Sequence, residues 1–414
     1  MKILQKGRSL IKSAYSDNRI RQLVLIFVYS FVALSLWSNF LITKVLHSPF
    51  FLYEVFFIPP FVMYVRKNGI TFFRRLIDRR LLIAGGALAL FLAVGVLRNP
   101  SYLMAQVTTY RVWIYFLVII LICFRAEMPD LDTLFAACFG AVCGDTLFCL
   151  ISPNGWAITP LNLIALAVVV CIPLVQGKYG VFVVGIAVCA VDAFLSGFRI
   201  SFAVIAVAYF FGLLFSVVCS RRKKDFILFG ITVAGAVIVF VFFDQLAAVM
   251  QSIFHIDEFA FFRVTQRLKA LIHFDFVSSQ DAQRLKCFEK PFDLFLQRVI
   301  PRGLIGKGDG TYGAYKDVPI VFLYDSFGSV AAWFVSAFVG CVGAWNIYAS
   351  YKKRTSPELG FLGVMFPVVI LLFLLNGCFI MDAYEVCISA VILGYWLKNF
   401  LILPRTDTIV RKEK

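Results

Sequence analysis

Several familiar signatures are missing from this sequence. It has no CxxC spacing, no GxxxxGK[S/T] loop, no internal repeat of 20–50 residues and no low-complexity segment. The missing CxxC excludes a cysteine metal site of the common kind, and the missing phosphate loop excludes that form of nucleotide binding. Charge is also scarce, at 15% of 414 residues. What fills the space is apolar. Hydrophobic residues make up 61% of the chain and the mean hydropathy is +0.87, against about half apolar in soluble domains. Such a chain reads as a polytopic membrane protein whose core is the lipid-embedded bundle.

A membrane-crossing helix needs about 20 apolar residues. Twelve segments qualify: 22–41, 48–65, 81–97, 102–124, 131–152, 158–175, 179–195, 201–219, 226–243, 318–350, 359–379 and 382–403. The expected fold is therefore all-α with about twelve transmembrane helices. The first basic run leads into 22–41 with no small-residue cleavage site after it, so this segment is expected to stay as the first helix. Residues 1–243 would hold helices one to nine, 244–317 one long loop, and 318–414 helices ten to twelve with a tail. Apart from Cys287 in a loop and Cys378 near a helix end, the cysteines lie within apolar segments and read as small packing residues.

The net charge of +16 would suit nucleic acid, but its distribution argues against that. Alternate connections carry the N-terminal Lys2 to Arg21, the second-loop Arg66 to Arg80, Arg125, Lys178, Arg221 to Lys224, Lys352 to Arg354, and the tail. Short loops on the other side hold only Lys44, Arg98 and Arg199. The positive-inside rule places the first set, and both termini, in the cytoplasm. The basic runs then serve as topology signals and headgroup contacts rather than a nucleic-acid site. Parity puts the long loop, mixed in charge with ten basic and nine acidic residues, on the outside. Its FAFFRVTQRLKALIHF stretch is amphipathic and suits the bilayer surface.

Apart from Asp132 at the very start of its span and Lys398, which can snorkel near the cytoplasmic end of the last, seven ionisable residues fall within spans: Glu54, Arg111, Asp145, Asp192, Asp325, Asp382 and Glu385. Such residues are costly in lipid and mark function by default. All seven lie on the outer side, which predicts an outward-opening polar cavity with Asp192, Asp382 and Glu385 among its carboxylates. An interhelical salt bridge remains the alternative for any one of them. Arg199, in LSGFRISFA, stands at that level too. A guanidinium grips phosphate in bidentate fashion at any working pH, and Ser196 and Ser201 would add hydroxyl donors. The alternative is an arginine that reaches ordinary lipid headgroups.

Three segments carry a family resemblance: SPNGWAITPLNLIALAVVVCIPL, LSGFRISFAVIAV, and the stretch from SSQDAQRLKCFEK through GLIGKGDGTYG to FLYDSFGSVAAWF. Their order and sidedness over residues 150–340 resemble the bacterial O-antigen polymerase and O-antigen ligase superfamily. The resemblance implies a metal-independent and cofactor-free lipid-linked glycosyltransferase of the C type in the bacterial inner membrane. Its substrates would be undecaprenyl diphosphate-linked oligosaccharides, handled at the periplasmic face beneath a large periplasmic loop. Membrane lipids are implied partners, and a chain-length regulator is a further one to consider. Two diphosphate-binding arginines carry over to Arg199 and Arg284, with Arg111 and Arg267 as helpers. The histidine on which the ligases rely is absent: Asp317 and Val318 occupy the corresponding pair, and His47, His255 and His273 do not match. That departure favours a polymerase over a ligase; a transporter of the same lipid is the rival from another class.

Chemistry sets the remaining expectations. A sugar joined to diphosphate needs its acceptor oriented, its leaving charge stabilised by cations and a proton removed. Asp325 and Asp317 are the candidate bases, ahead of Asp192, Asp382 and Glu385. Trp156, Tyr110 and Tyr312 could stack on sugar, although aromatic-belt anchoring also explains them.

Overall fold

The computed structural model describes residues 2–41, 115–120, 128–151, 162–196, 199–220, 222–242, 328–352, 356–375 and 388–401, with single positions between them. No strand occurs among these residues. The expected segment 48–65, most of 81–97 and 102–124, and all but isolated positions of the long loop 244–317 lie outside the described residues. The helices are α1 (Lys2–Ala33), α2 (Leu36–Phe40), α3 (Leu131–Ile151), α4 (Leu163–Gln176), α5 (Tyr179–Ser196), α6 (Arg199–Phe215), α7 (Lys223–Val241), α8 (Ser329–Lys352), α9 (Pro357–Leu375) and α10 (Ile388–Leu401). A π turn, Ser216–Ser220, prolongs α6. Five are long and apolar enough to cross a membrane: α3, α5, α6 with its π turn, α8 and α9. This fits a multi-pass helical membrane protein.

The bundle is built around α4. Every residue from Leu163 to Val175 is buried, as a helix apolar on all sides must be. Its neighbours are α3, α5, α6 and α9. Small residues let them approach: a Cβ on Gly185 would stand 3.0 Å from Val169, and one on Gly212 would stand 3.2 Å from Leu174. The outer helices face the other way. Val183 and Val184 on α5 and Ile227 and Ile231 on α7 are exposed, which suits a lipid-facing surface. Between helices in lipid, close packing rather than water exclusion drives contact.

That rule is clearest between α1 and α3. Gly140 and Gly144 are spaced as GxxxG. A Cβ at Gly140 would meet Phe27 O at 2.3 Å, and one at Gly144 would meet Phe31 O at 2.4 Å. The two backbones therefore nearly touch, and the helices run parallel, with Arg19 of α1 paired to Asp130 just before α3.

Three boundaries differ from expectation. The first span is not one helix: α1 ends at Ala33 and α2 begins at Leu36, with Ser35 extended between them at φ −120° and ψ 177°. The sixth is only Leu163–Gln176, about 21 Å of helix. The tenth is interrupted at Gly328. Its N–H bonds Tyr324 O at 3.0 Å, and its φ of +88° closes that turn before α8 begins. Glycine takes this left-handed conformation without steric penalty.

Candidate functional site

The two ends of the helices differ in kind. Arg19 pairs with Asp130 at 2.7 Å, and Lys178 with Asp132 at 2.5 Å. Gln176 adds a bond to Asp132 at 3.1 Å. Arg222 reaches Val175 O at 3.2 Å and lies against Gly177, where a Cβ would meet its Nη1 at 1.7 Å. Gly177 is left-handed at φ +72° and ends α4 with bonds from residues 177 and 178 back to Leu174 and Pro173. Tyr179 donates to Asp225, while Lys224 sits 5.9 Å over the Tyr179 ring. The start of α9 belongs here too, because Gly360 packs against Phe215 and Val175. Arg19, Lys178, Arg222 and the α8–α9 connection thus share one end, as the alternating-charge count requires.

The buried acids lie toward the other end. Asp145 is thirteen residues along α3 from Asp132, about 20 Å of helix. Asp192 is the same distance along α5 from Tyr179. Both are enclosed, at 1% and 0% exposure, and they interact electrostatically. Asp145 Oδ1 accepts the Leu36 N–H at 2.7 Å, and its Oδ2 accepts Asn162 Nδ2 at 2.8 Å. The same Nδ2 bonds Leu34 O at 2.8 Å. The break between α1 and α2 is therefore tied to α3 and to the residue that precedes α4. Thr146 Oγ1 lies 2.8 Å from Val142 O and 3.1 Å from Asp192 Oδ1. Asp192 Oδ2, Asn162 Oδ1, Ser38 Oγ and Trp37 Nε1 are buried without a partner.

Of the expected site residues, Asp192 has a described side chain. It sits in this interior cluster, alongside Asp145. Arg199 is the first residue of α6, three positions after Ser196 ends α5. Only its backbone is described. Ser196 is buried and turns back to Ala193 O at 3.1 Å, and Ser201 is buried with its hydroxyl unpartnered; neither reaches outward as a donor. Asp325, Asp317, Arg284, Arg111, Arg267, Asp382 and Glu385 lie outside the described residues, as does Glu54. The sequence reading missed Asn162 and Thr146. Their signal was present, in that each is a polar residue beside or within a long apolar run.

A second interior knot lies near the basic end. Asn346 on α8 donates to Val342 O at 2.9 Å and to Trp396 O at 3.1 Å, and it accepts from Asn399 at 3.2 Å. Trp396, fully buried, donates to Leu362 O at 2.9 Å. These bonds tie α8, α9 and α10 together, so they read as structural. No family model, curated protein or solved structure shows a significant match to this chain.

Proposed function

We propose that this protein is a membrane-embedded polymerase of undecaprenyl diphosphate-linked oligosaccharide repeat units, making O-antigen or a similar surface polysaccharide at the periplasmic face of the bacterial inner membrane. The supporting observation is sidedness. The described basic residues at helix ends gather at one end of the bundle, while Arg199 opens α6 at the opposite end. The helices flanking the long connection, α7 and α8, both turn toward that opposite end. An arginine at the end of the bundle where α7 finishes and α8 begins suits a diphosphate lipid.

In this reading Arg199 and Arg284 hold the donor diphosphate and stabilise its charge as the sugar departs, with Arg111 and Arg267 assisting. Asp325 or Asp317 takes the proton of the acceptor hydroxyl. The growing chain leaves its carrier and joins a new lipid-linked unit. Asp192 is not assigned as the base, because a fully enclosed carboxyl has no described route to a sugar hydroxyl. The test is to replace Arg199 and Arg284 singly with alanine. Each variant should abolish chain elongation at unchanged protein level, leaving single repeats on the core. Bare core would indicate a ligase instead, and long ladders in both variants would overturn the assignment.

One observation favours a second reading. Transporters place polar sites deep in the bilayer at discontinuous helices, and the Leu34–Ser35 break beside Asp145 and Asn162 has that form. Extension of a lipid-linked unit by the purified protein alone separates an enzyme from a carrier.

A further inference from the structure

The interior acids invite an inference that stands apart from either reading. Two ionised carboxylates enclosed together in an apolar bundle are strongly disfavoured. The partners of the two differ. Asp145 accepts from a backbone N–H and from an amide N–H, and both bonds favour its ionised form. It also lies beside the residue that precedes α4, where the helix N-terminus favours negative charge. Asp192 has no such support. Its Oδ2 is unpartnered, and its Oδ1 meets only Thr146 Oγ1. A hydroxyl carries one hydrogen. Thr146 divides it between Val142 O at 2.8 Å in the preceding turn and Asp192 Oδ1 at 3.1 Å, so Asp192 has at most a share of one donor. An independent sign comes from Asn162, 4% exposed, whose Oδ1 has no partner although its Nδ2 rests on Asp145. An acceptor without a donor beside a buried acid pair adds to the excess of acceptors over donors there, which favours a proton.

We propose that Asp145 and Asp192 form a buried proton-binding site, with Asp145 as the carboxylate and Asp192 as the proton carrier. The ionisable groups facing Asp192 among the described residues are Asp145, Cys143 and Cys149 on α3 and Cys189 on α5. These are acids, so none supplies a compensating positive charge. The proton does.

The experiment uses the full-length protein in lipid nanodiscs. Infrared difference spectra in H2O and D2O at neutral pH should show the carbonyl stretch of a protonated carboxylic acid, and Asp192→Asn should remove it. Asp192→Asn, which resembles the neutral acid in shape and charge, should melt at the wild-type temperature. Asp145→Asn should melt several degrees lower, because its new NH2 group opposes the Leu36 N–H or the Asn162 amide. No such band in the wild type, or a band of undiminished strength in Asp192→Asn, overturns the proposal. So does a melting loss in Asp192→Asn that equals or exceeds that of Asp145→Asn. Exchange of choline for sodium at fixed ionic strength supplies the last arm. It should leave the melting temperature unchanged, and a rise seen in the wild type but not in Asp192→Asn would assign the site to a metal cation instead.

Discussion

The basic end of the bundle and its acidic interior solve the problem of charge in opposite ways. At the basic end, ions pair with ions. Lys178 and Asp132 are both well exposed, as are Arg19 and Asp130, and each can turn to water or headgroups if its partner is lost. In the interior the carboxylate of Asp145 is held by an N–H and an amide, donors that exist only because a helix breaks at Ser35 and another begins after Asn162. The lesson is that exposed charge marks topology and is individually dispensable, whereas enclosed charge is part of the backbone's own architecture.

The largest loss is expected at Gly144. A leucine there would drive its side chain into Phe31 O and the Ser35 side chain. The expected loss is on the order of 4 kcal/mol or more, read as failure to recover a monodisperse folded protein. Asp145→Ala comes next. It strands the Leu36 N–H and the Asn162 amide in a dry interior, which costs about 2–4 kcal/mol and should appear as a lower melting temperature in detergent. At the other end Arg222→Ala removes one bond to Val175 O and the packing on Gly177, worth about 1 kcal/mol. Lys178→Ala breaks an exposed pair and should change stability by less than about 0.5 kcal/mol. A salt series sharpens the contrast: near 1 M salt, where screening acts within about 3 Å, the Lys178 effect should vanish and the Asp145 effect should persist. If the two respond alike to salt, the distinction between the ends fails.

Much of this was legible in the sequence, and the reasons are physical. Hydropathy finds a helix that must face lipid, so 131–152, 179–195 and 201–219 were located to within a few residues of α3, α5 and α6. The alternation of Lys and Arg gave the common end of Lys178, Arg222 and the α8–α9 connection, because a charge in the wrong place is costly wherever the helices pack. The break at Leu34–Ser35 was invisible. Leu–Ser is ordinary in an apolar run, and what holds it open is Asp145, 110 positions further on in the numbering of Ser35 and Asp145. The depth of Asp192 was legible; its pairing with Asp145 and Thr146 was not, because hydropathy reports distance along the membrane normal and not direction around a helix. The helix start at Arg199 was legible, while the inward direction of the Ser196 hydroxyl depends on the Ala193 carbonyl.

The enclosure of α4 bears on how the chain is assembled. Its sheath includes α9, which the ribosome delivers long after α4 itself has entered the bilayer. Until then the nascent N-terminal half carries an apolar axle with one stave of its wall missing, and lipid or another apolar segment has to cover that gap. Closure of the bundle is thus a late event in biogenesis, and a chain cut short before Pro357 would leave the flank of α4 bare to whatever else is being inserted nearby.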